Sequence, residues 1–222
     1  MTNKKNNIKK IAVIAVLCAL AYLCTLLLHF KVMFLTFDFK DAIIAVSALM
    51  YGPVAGLFSS AVVALLELVT VSDTGVYGLI MNFLSSTAFA CVGGLVYKYR
   101  RTFSGAIFAM AASVLSVTAV MLLANLFVTP LFMGVPRGEV VKLIPKVLLP
   151  FNLVKSVMNA VLTLMIYKPV TQFFGRMGLT ERKHYEKGSG LRTVIMIISC
   201  LAVAAVAVLV FIFYLNGTVV AG

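Results

Sequence analysis

The chain has 222 residues, of which 62% are hydrophobic and 12% charged, and its mean hydropathy is +1.08. Soluble domains carry about 25% charged residues, so a wholly water-facing exterior is excluded. The net charge of +12 does not point to nucleic acid, because the Lys and Arg residues stand between apolar runs instead of sharing one face or arm.

The first apolar run covers residues 8 to 28, behind Lys4, Lys5, Lys9 and Lys10. It imitates a secretory leader, down to an A-x-A at Ala19 to Ala21, but it continues through Leu28 and is long enough to cross about 30 Å of hydrocarbon. It is read as the first span. Within it Ala15 and Ala19 form a small-xxx-small pair that lets another helix approach closely, whether a neighbouring span or an outside partner.

Next comes an external segment, His29 to Asp41, that mixes aromatics with charges and shows no helix caps. Such a stretch, with Leu35, Phe37 and Asp38 at its centre, suits a loop folded over a pocket with rings stacked on a ligand. The plainer reading of it is an interfacial aromatic belt. Further spans are predicted at 42 to 51, 54 to 70, 77 to 97, 104 to 127, 148 to 171 and 193 to 215. The short second span ends at Tyr51-Gly52-Pro53, where proline stops the ladder and glycine permits a tight turn.

Between the sixth and seventh spans lies a charged, glycine-bearing stretch, residues 176 to 192. The expected organisation is therefore a six-span core at 1–175, a basic cytoplasmic linker at 176–192, and one further transmembrane helix with a short external tail at 193–222. With the N-terminus in the cytoplasm, 13 of the 19 basic residues fall on the inner side. The six external ones are Lys31, Lys40, Arg137, Lys142, Lys146 and Lys155. This bias is the positive-inside pattern of a multi-pass protein of the bacterial inner membrane.

Polar side chains inside spans are costly, so each one is a candidate for function. Glu67 falls near the outer end of the third span, Asn82 near the outer start of the fourth, Asn125 near the outer end of the fifth, and Asn152 and Lys155 near the outer start of the sixth. Four helices thus offer polar groups at one depth, matching an apolar pocket with a few convergent polar groups. Asn152, Lys155 and Asn159, spaced i, i+3, i+7, share a helix face. Each position also has a plainer reading. Ser85, Ser86 and Asn159 suit interhelical hydrogen bonds, Lys155 suits snorkelling to the interface, and Glu67 suits a structural carboxylate.

Cys18, Cys24, Cys91 and Cys200 lie in apolar runs without CxxC spacing, and His29 and His184 stand alone, so no metal site is expected. No HExxH, GxSxG or P-loop is present, and paired acids at bilayer depth are lacking, so an enzyme is not expected. A structural or assembly protein stays open as a third class.

Several segments resemble one family: FDFKDAI (Phe37 to Ile43), YGPVAG (Tyr51 to Gly56), NFL (Asn82 to Leu84), YKYRRTFSGAI (Tyr97 to Ile107), NLFVTP (Asn125 to Pro130) and PFNLVK (Pro150 to Lys155). In order and spacing, over residues 8 to 171, they are similar to the riboflavin-type S components of energy-coupling factor (ECF) transporters. The resemblance implies an all-α integral membrane fold, a six-helix S-component bundle carrying one extra C-terminal transmembrane helix, that takes riboflavin from outside. A sister vitamin or phosphorylated flavin (FMN) is the alternative cargo. It implies flavin contacts at Asn125, Asn152 and Lys155, docking through Ala15 and Ala19 onto a transmembrane coupling (T) subunit, two cytoplasmic ATPase subunits as further partners, and no resident cofactor.

Overall fold

The computed structural model describes residues 2–32 and 35–180, and the expected seventh span at 193–215 lies outside the described residues. The described part is helical apart from one hairpin: α1 Thr2–Leu27, β1 Phe30–Val32, β2 Leu35–Phe37, α2 Lys40–Tyr51, α3 Pro53–Thr70, α4 Gly75–Tyr99, α5 Phe103–Met133, α6 Arg137–Leu143, a π-helical turn Ile144–Leu148, and α7 Leu149–Arg176. Five stretches, Asn6–Leu27, Pro53–Thr70, Gly75–Tyr99, Phe103–Met133 and Arg137–Arg176, are long and apolar enough to cross a membrane. The short α2 is the sixth core helix.

Helix α2 is the axis of the bundle. It packs on α1, α3, α4 and α7, and its residues from Lys40 to Leu49 are buried except Ile43. A helix buried on nearly all sides must be apolar on nearly all sides or must pair what is not. Both solutions occur along it: alanines and β-branched residues towards Tyr51, paired charges at Lys40 and Asp41.

The α2–α3 turn rests on Gly52, whose φ of 97° favours glycine, and Pro53 begins α3 where its missing N–H costs nothing. Nearby, Gly56 of α3 and Gly94 of α4 both close on Ala48. A Cβ added to them would stand 2.8 Å and 2.9 Å from the Ala48 Cβ. Small residues thus let three helices meet at backbone distance. At the same end of the bundle, Lys9 donates to the Gly178 carbonyl at 2.7 Å, tying the start of α1 to the residues after α7.

At the opposite end the expected loop is an antiparallel hairpin, with Phe30 opposite Phe37 and Val32 opposite Leu35. Phe37 packs edge-on against Phe39 and Phe151. It joins a second apolar cluster with Leu35, Val140, Val147, Leu148 and Val154. Helix α2 starts at Lys40, two residues before the predicted span, because Lys40 and Asp41 are buried and paired instead of solvated.

Helix α5 runs six residues past its predicted end, through Pro130 to Met133, and stops at Gly134 in the left-handed region. The α6 and π-turn segment was not predicted. Its amphipathic sequence buries Val140, Val147 and Leu148 and exposes Arg137, Lys142 and Lys146, which gives no continuous apolar window. Pro145 and Pro150 lack the N–H groups that regular α-helical pairing needs, at the place where the π turn sits.

Candidate functional site

Beneath the hairpin lies an open cleft enclosing about 730 Å³, part of it open to the outside. Its lining comes from four elements: Leu35 and Thr36 of the hairpin, Asn82 and Ser85 of α4, Asn125 and Thr129 of α5, and Asn152 and Lys155 of α7. Met81, Met121 and Phe151 supply apolar walls. The structure therefore brings together five of the residues singled out in the sequence: Leu35, Asn82, Asn125, Asn152 and Lys155.

Two of the cleft amides, Asn125 and Asn152, are held by their own helices. Asn125 Nδ2 donates to the Met121 carbonyl at 2.7 Å while its Oδ1 accepts from Thr129 at 2.7 Å. Asn152 Nδ2 donates to the Leu148 carbonyl at 2.7 Å, the last residue of the π turn. Fixed this way, each side chain keeps hydrogen-bonding capacity for a guest, since an amide offers two N–H donors and two lone pairs. Lys155 bridges to the hairpin, donating to the Thr36 carbonyl and to Asp38 Oδ2, both at 3.0 Å.

The other three singled-out residues lie away from the main cleft. Phe37 points into the apolar cluster under the hairpin. Asp38 and Glu67 line an adjacent lobe with Thr25, His29 and Lys40, and this lobe shares Thr36 and Asn82 with the main cleft. Asp38 is fully buried. Burial pushes its carboxyl up, but Lys155 and Lys40 outweigh this and hold it below the usual carboxylate range.

Sequence reasoning passed over the partners of these acids. Lys40, placed among the external cations, is 1% exposed and lies 2.6 Å from Glu67 Oε2 and 3.5 Å from Asp38 Oδ2. Asp41 accepts from Ser85 and Ser86. Asn159 ties α7 to the start of α2, accepting from the Ala42 N–H and donating to the Asp38 carbonyl. The available signal was three charges in four residues, Asp38, Lys40 and Asp41, directly before an apolar run. Such a cluster at a span's edge reads as solvated until its partners on other helices are known.

Ala15 and Ala19 lie on the exposed face of α1, whereas Val13, Leu17 and Cys18 turn into the bundle. Nothing among the described residues covers that pair. No group of three metal-ligating side chains occurs among the described residues.

Known proteins match this arrangement over most of its length. The family model described as the substrate-specific component of ECF transporters matches residues 9–167. The riboflavin transporter RibU of Staphylococcus aureus (strain TCH60) is 26% identical over 179 residues, which cover 76% of this chain and 94% of that protein. A solved structure of the S component of a bacterial ECF transporter superposes with a TM-score of 0.64 at 25% identity, covering 78% of this chain and 99% of its own.

Proposed function

The chain belongs to the family of substrate-specific components of ECF transporters, a multi-pass membrane transporter component and not an enzyme, and from that premise we propose that its cargo is riboflavin. The carrying observation is the convergence of Asn82, Asn125, Asn152 and Lys155 on one apolar-walled cleft roofed by Leu35. A flat heterocycle with carbonyl acceptors and an imide N–H matches fixed amides at the edge of such a cleft, while methionines and Phe151 pack on its faces. The name of the Staphylococcus relative, a riboflavin transporter, supports the same cargo.

A neutral guest suits the charges better than a phosphorylated one. Lys155, the cation nearest the cleft, already faces Asp38 at 3.0 Å, and in the adjoining lobe Lys40 stands against Asp38, Glu67 and Asp73, which leaves no surplus of positive charge. In this reading the hairpin end faces outward and the N-terminus lies in the cytoplasm of the bacterial cell. The exposed Ala15/Ala19 stripe of α1 meets the T subunit, and two ATPase subunits drive release.

The test is direct. The detergent-solubilised protein is expected to co-purify with riboflavin by mass spectrometry and, once stripped, to quench added riboflavin fluorescence more tightly than it binds FMN. Absence of both co-purification and quenching overturns the cargo.

A further inference from the structure

Behind the cleft, Glu67 is the hub of a buried layer. Its Oε2 accepts from Lys40 Nζ at 2.6 Å and from Asn82 Nδ2 at 2.8 Å, and its Oε1 accepts from the Thr25 hydroxyl at 3.0 Å. Four helices, α1 to α4, meet at this one carboxylate. Glu67 does not line the main cleft, but Asn82 does.

An amide whose nitrogen is held on one side presents its carbonyl to the other. Asn82 Oδ1 accepts from no described residue, and the side chain is only half-buried. On the same helix Ser85 commits its hydroxyl proton to Asp41 at 3.3 Å. Helix α4 therefore offers the cleft Asn82 Oδ1 as an acceptor for a donor on the guest, beside the second N–H of the same amide.

We propose that Glu67 is a positioning residue: it holds the Asn82 amide so that Oδ1 is a fixed acceptor in the cleft, and it ties that orientation to α1 through Thr25. The ligand side of this inference rests on the riboflavin reading, while the geometry of the Glu67–Asn82 pair does not. A carboxylate suits this task because one oxygen takes two donors while the other takes a third. Glu67 is 2% exposed, so water competes little with Asn82 for its oxygens.

The experiment is a double-mutant cycle read by riboflavin fluorescence quenching on the full chain in detergent. Glu67→Met and Asn82→Ala are each expected to weaken binding about 10- to 100-fold, as for a lost buried hydrogen bond. The double variant should be no weaker than Asn82→Ala alone, because Glu67 acts through Asn82. The swap Glu67→Gln with Asn82→Asp restores the pair with its donor and acceptor reversed, keeps an oxygen in the cleft, and should bind within about threefold of the original protein.

Multiplying single effects, or a swap no better than Asn82→Ala, overturns the proposal, since a merely structural Glu67 predicts both. If the unaltered protein does not quench riboflavin, the cargo reading fails. The ligand-free melting temperatures of the same four proteins then decide the pair: losses smaller in the double variant than their sum support it, and additive losses overturn it.

Discussion

The two ends of the bundle solve burial in opposite ways. Where α2 meets α3 and α4 near Ala48, Gly56 and Gly94, the helices close on one another through small residues, and the edge-on Tyr97–Tyr167 pair seals the neighbouring core. Under the hairpin, α2 instead carries Lys40 and Asp41 into the bundle, and the surrounding helices answer with Asp38, Glu67, Lys155, Ser85 and Ser86. Close packing of small residues carries the first end, with bonds such as Lys9 to the Gly178 carbonyl beside it. The second end is held by directional bonds, which can support an open cleft beside them without collapsing into it. A rigid apolar half and a polar half with room inside are what a carrier of small polar molecules needs from one bundle.

The comparison breaks most sharply at Lys40. Lys40→Met removes the shared cation of Glu67 and Asp38 and leaves buried carboxylate charge uncompensated, a change that costs about 3–5 kcal/mol where buried pairs are broken. Chemical unfolding in detergent should show that loss together with weaker riboflavin quenching. Restoring an apolar pair with Lys40→Met and Glu67→Leu should recover part of the stability, but not the binding.

At the other end, Gly94→Val places a Cβ 2.9 Å from the Ala48 Cβ and 3.2 Å from the Pro53 nitrogen, contacts that cannot relax because backbone lies on one side. Overpacking of this kind costs about 1–3 kcal/mol. Its signature differs from that of Lys40→Met: the melting temperature falls while the riboflavin affinity of the folded fraction holds. Equal loss of affinity in both variants would mean that the two ends are not separate.

How far the sequence reaches follows the same division. Apolar run length located the core helices, since hydropathy reports on lipid. The spacing of Asn152 and Lys155, and the depth of Asn82 and Asn125, were visible as polar groups at one end of three helices, and all four side chains line one cleft. Hidden from the sequence were the bonds that span it: Lys155 to Asp38 and Asn159 to Ala42 each join residues 117 apart. A charge counts as a loop signal in any hydropathy window, so Lys40 and Asp41 were assigned outside the helix that they begin. The hairpin, α6 and the π turn share that cause, being short segments whose apolar faces form only against neighbours.

Within the cleft, Asn152→Ala sharpens the binding half of the comparison. The side chain is held by the Leu148 carbonyl at 2.7 Å, and its Oδ1 has no partner among the described residues, so its loss should leave the fold standing. Loss of one buried hydrogen bond to a desolvated guest costs about 1–3 kcal/mol, roughly 5- to 150-fold in riboflavin affinity. A change of less than about twofold would place the guest elsewhere.

The smallest expected effect is also the most discriminating, because it begins on a helix that does not line the main cleft. Thr25→Val keeps the shape of the side chain but removes the hydroxyl that Glu67 Oε1 accepts at 3.0 Å. The hydroxyl divides its proton between Glu67 and the Ala21 carbonyl at 3.3 Å, so its loss costs about 0.5–1.5 kcal/mol, below the range of an undivided bond to a charge. Stability should fall by that amount, and riboflavin affinity by about three- to tenfold, as the carboxylate shifts and loosens its hold on Asn82. In an Asn82→Ala background the affinity effect should vanish while the stability effect remains, because only Asn82 carries the change into the cleft. Since Ala15 and Ala19 lie exposed on the same helix as Thr25, a partner that moves α1 would act on the cleft through this bond. An affinity loss that persists without Asn82 would place the link between α1 and the guest on another path.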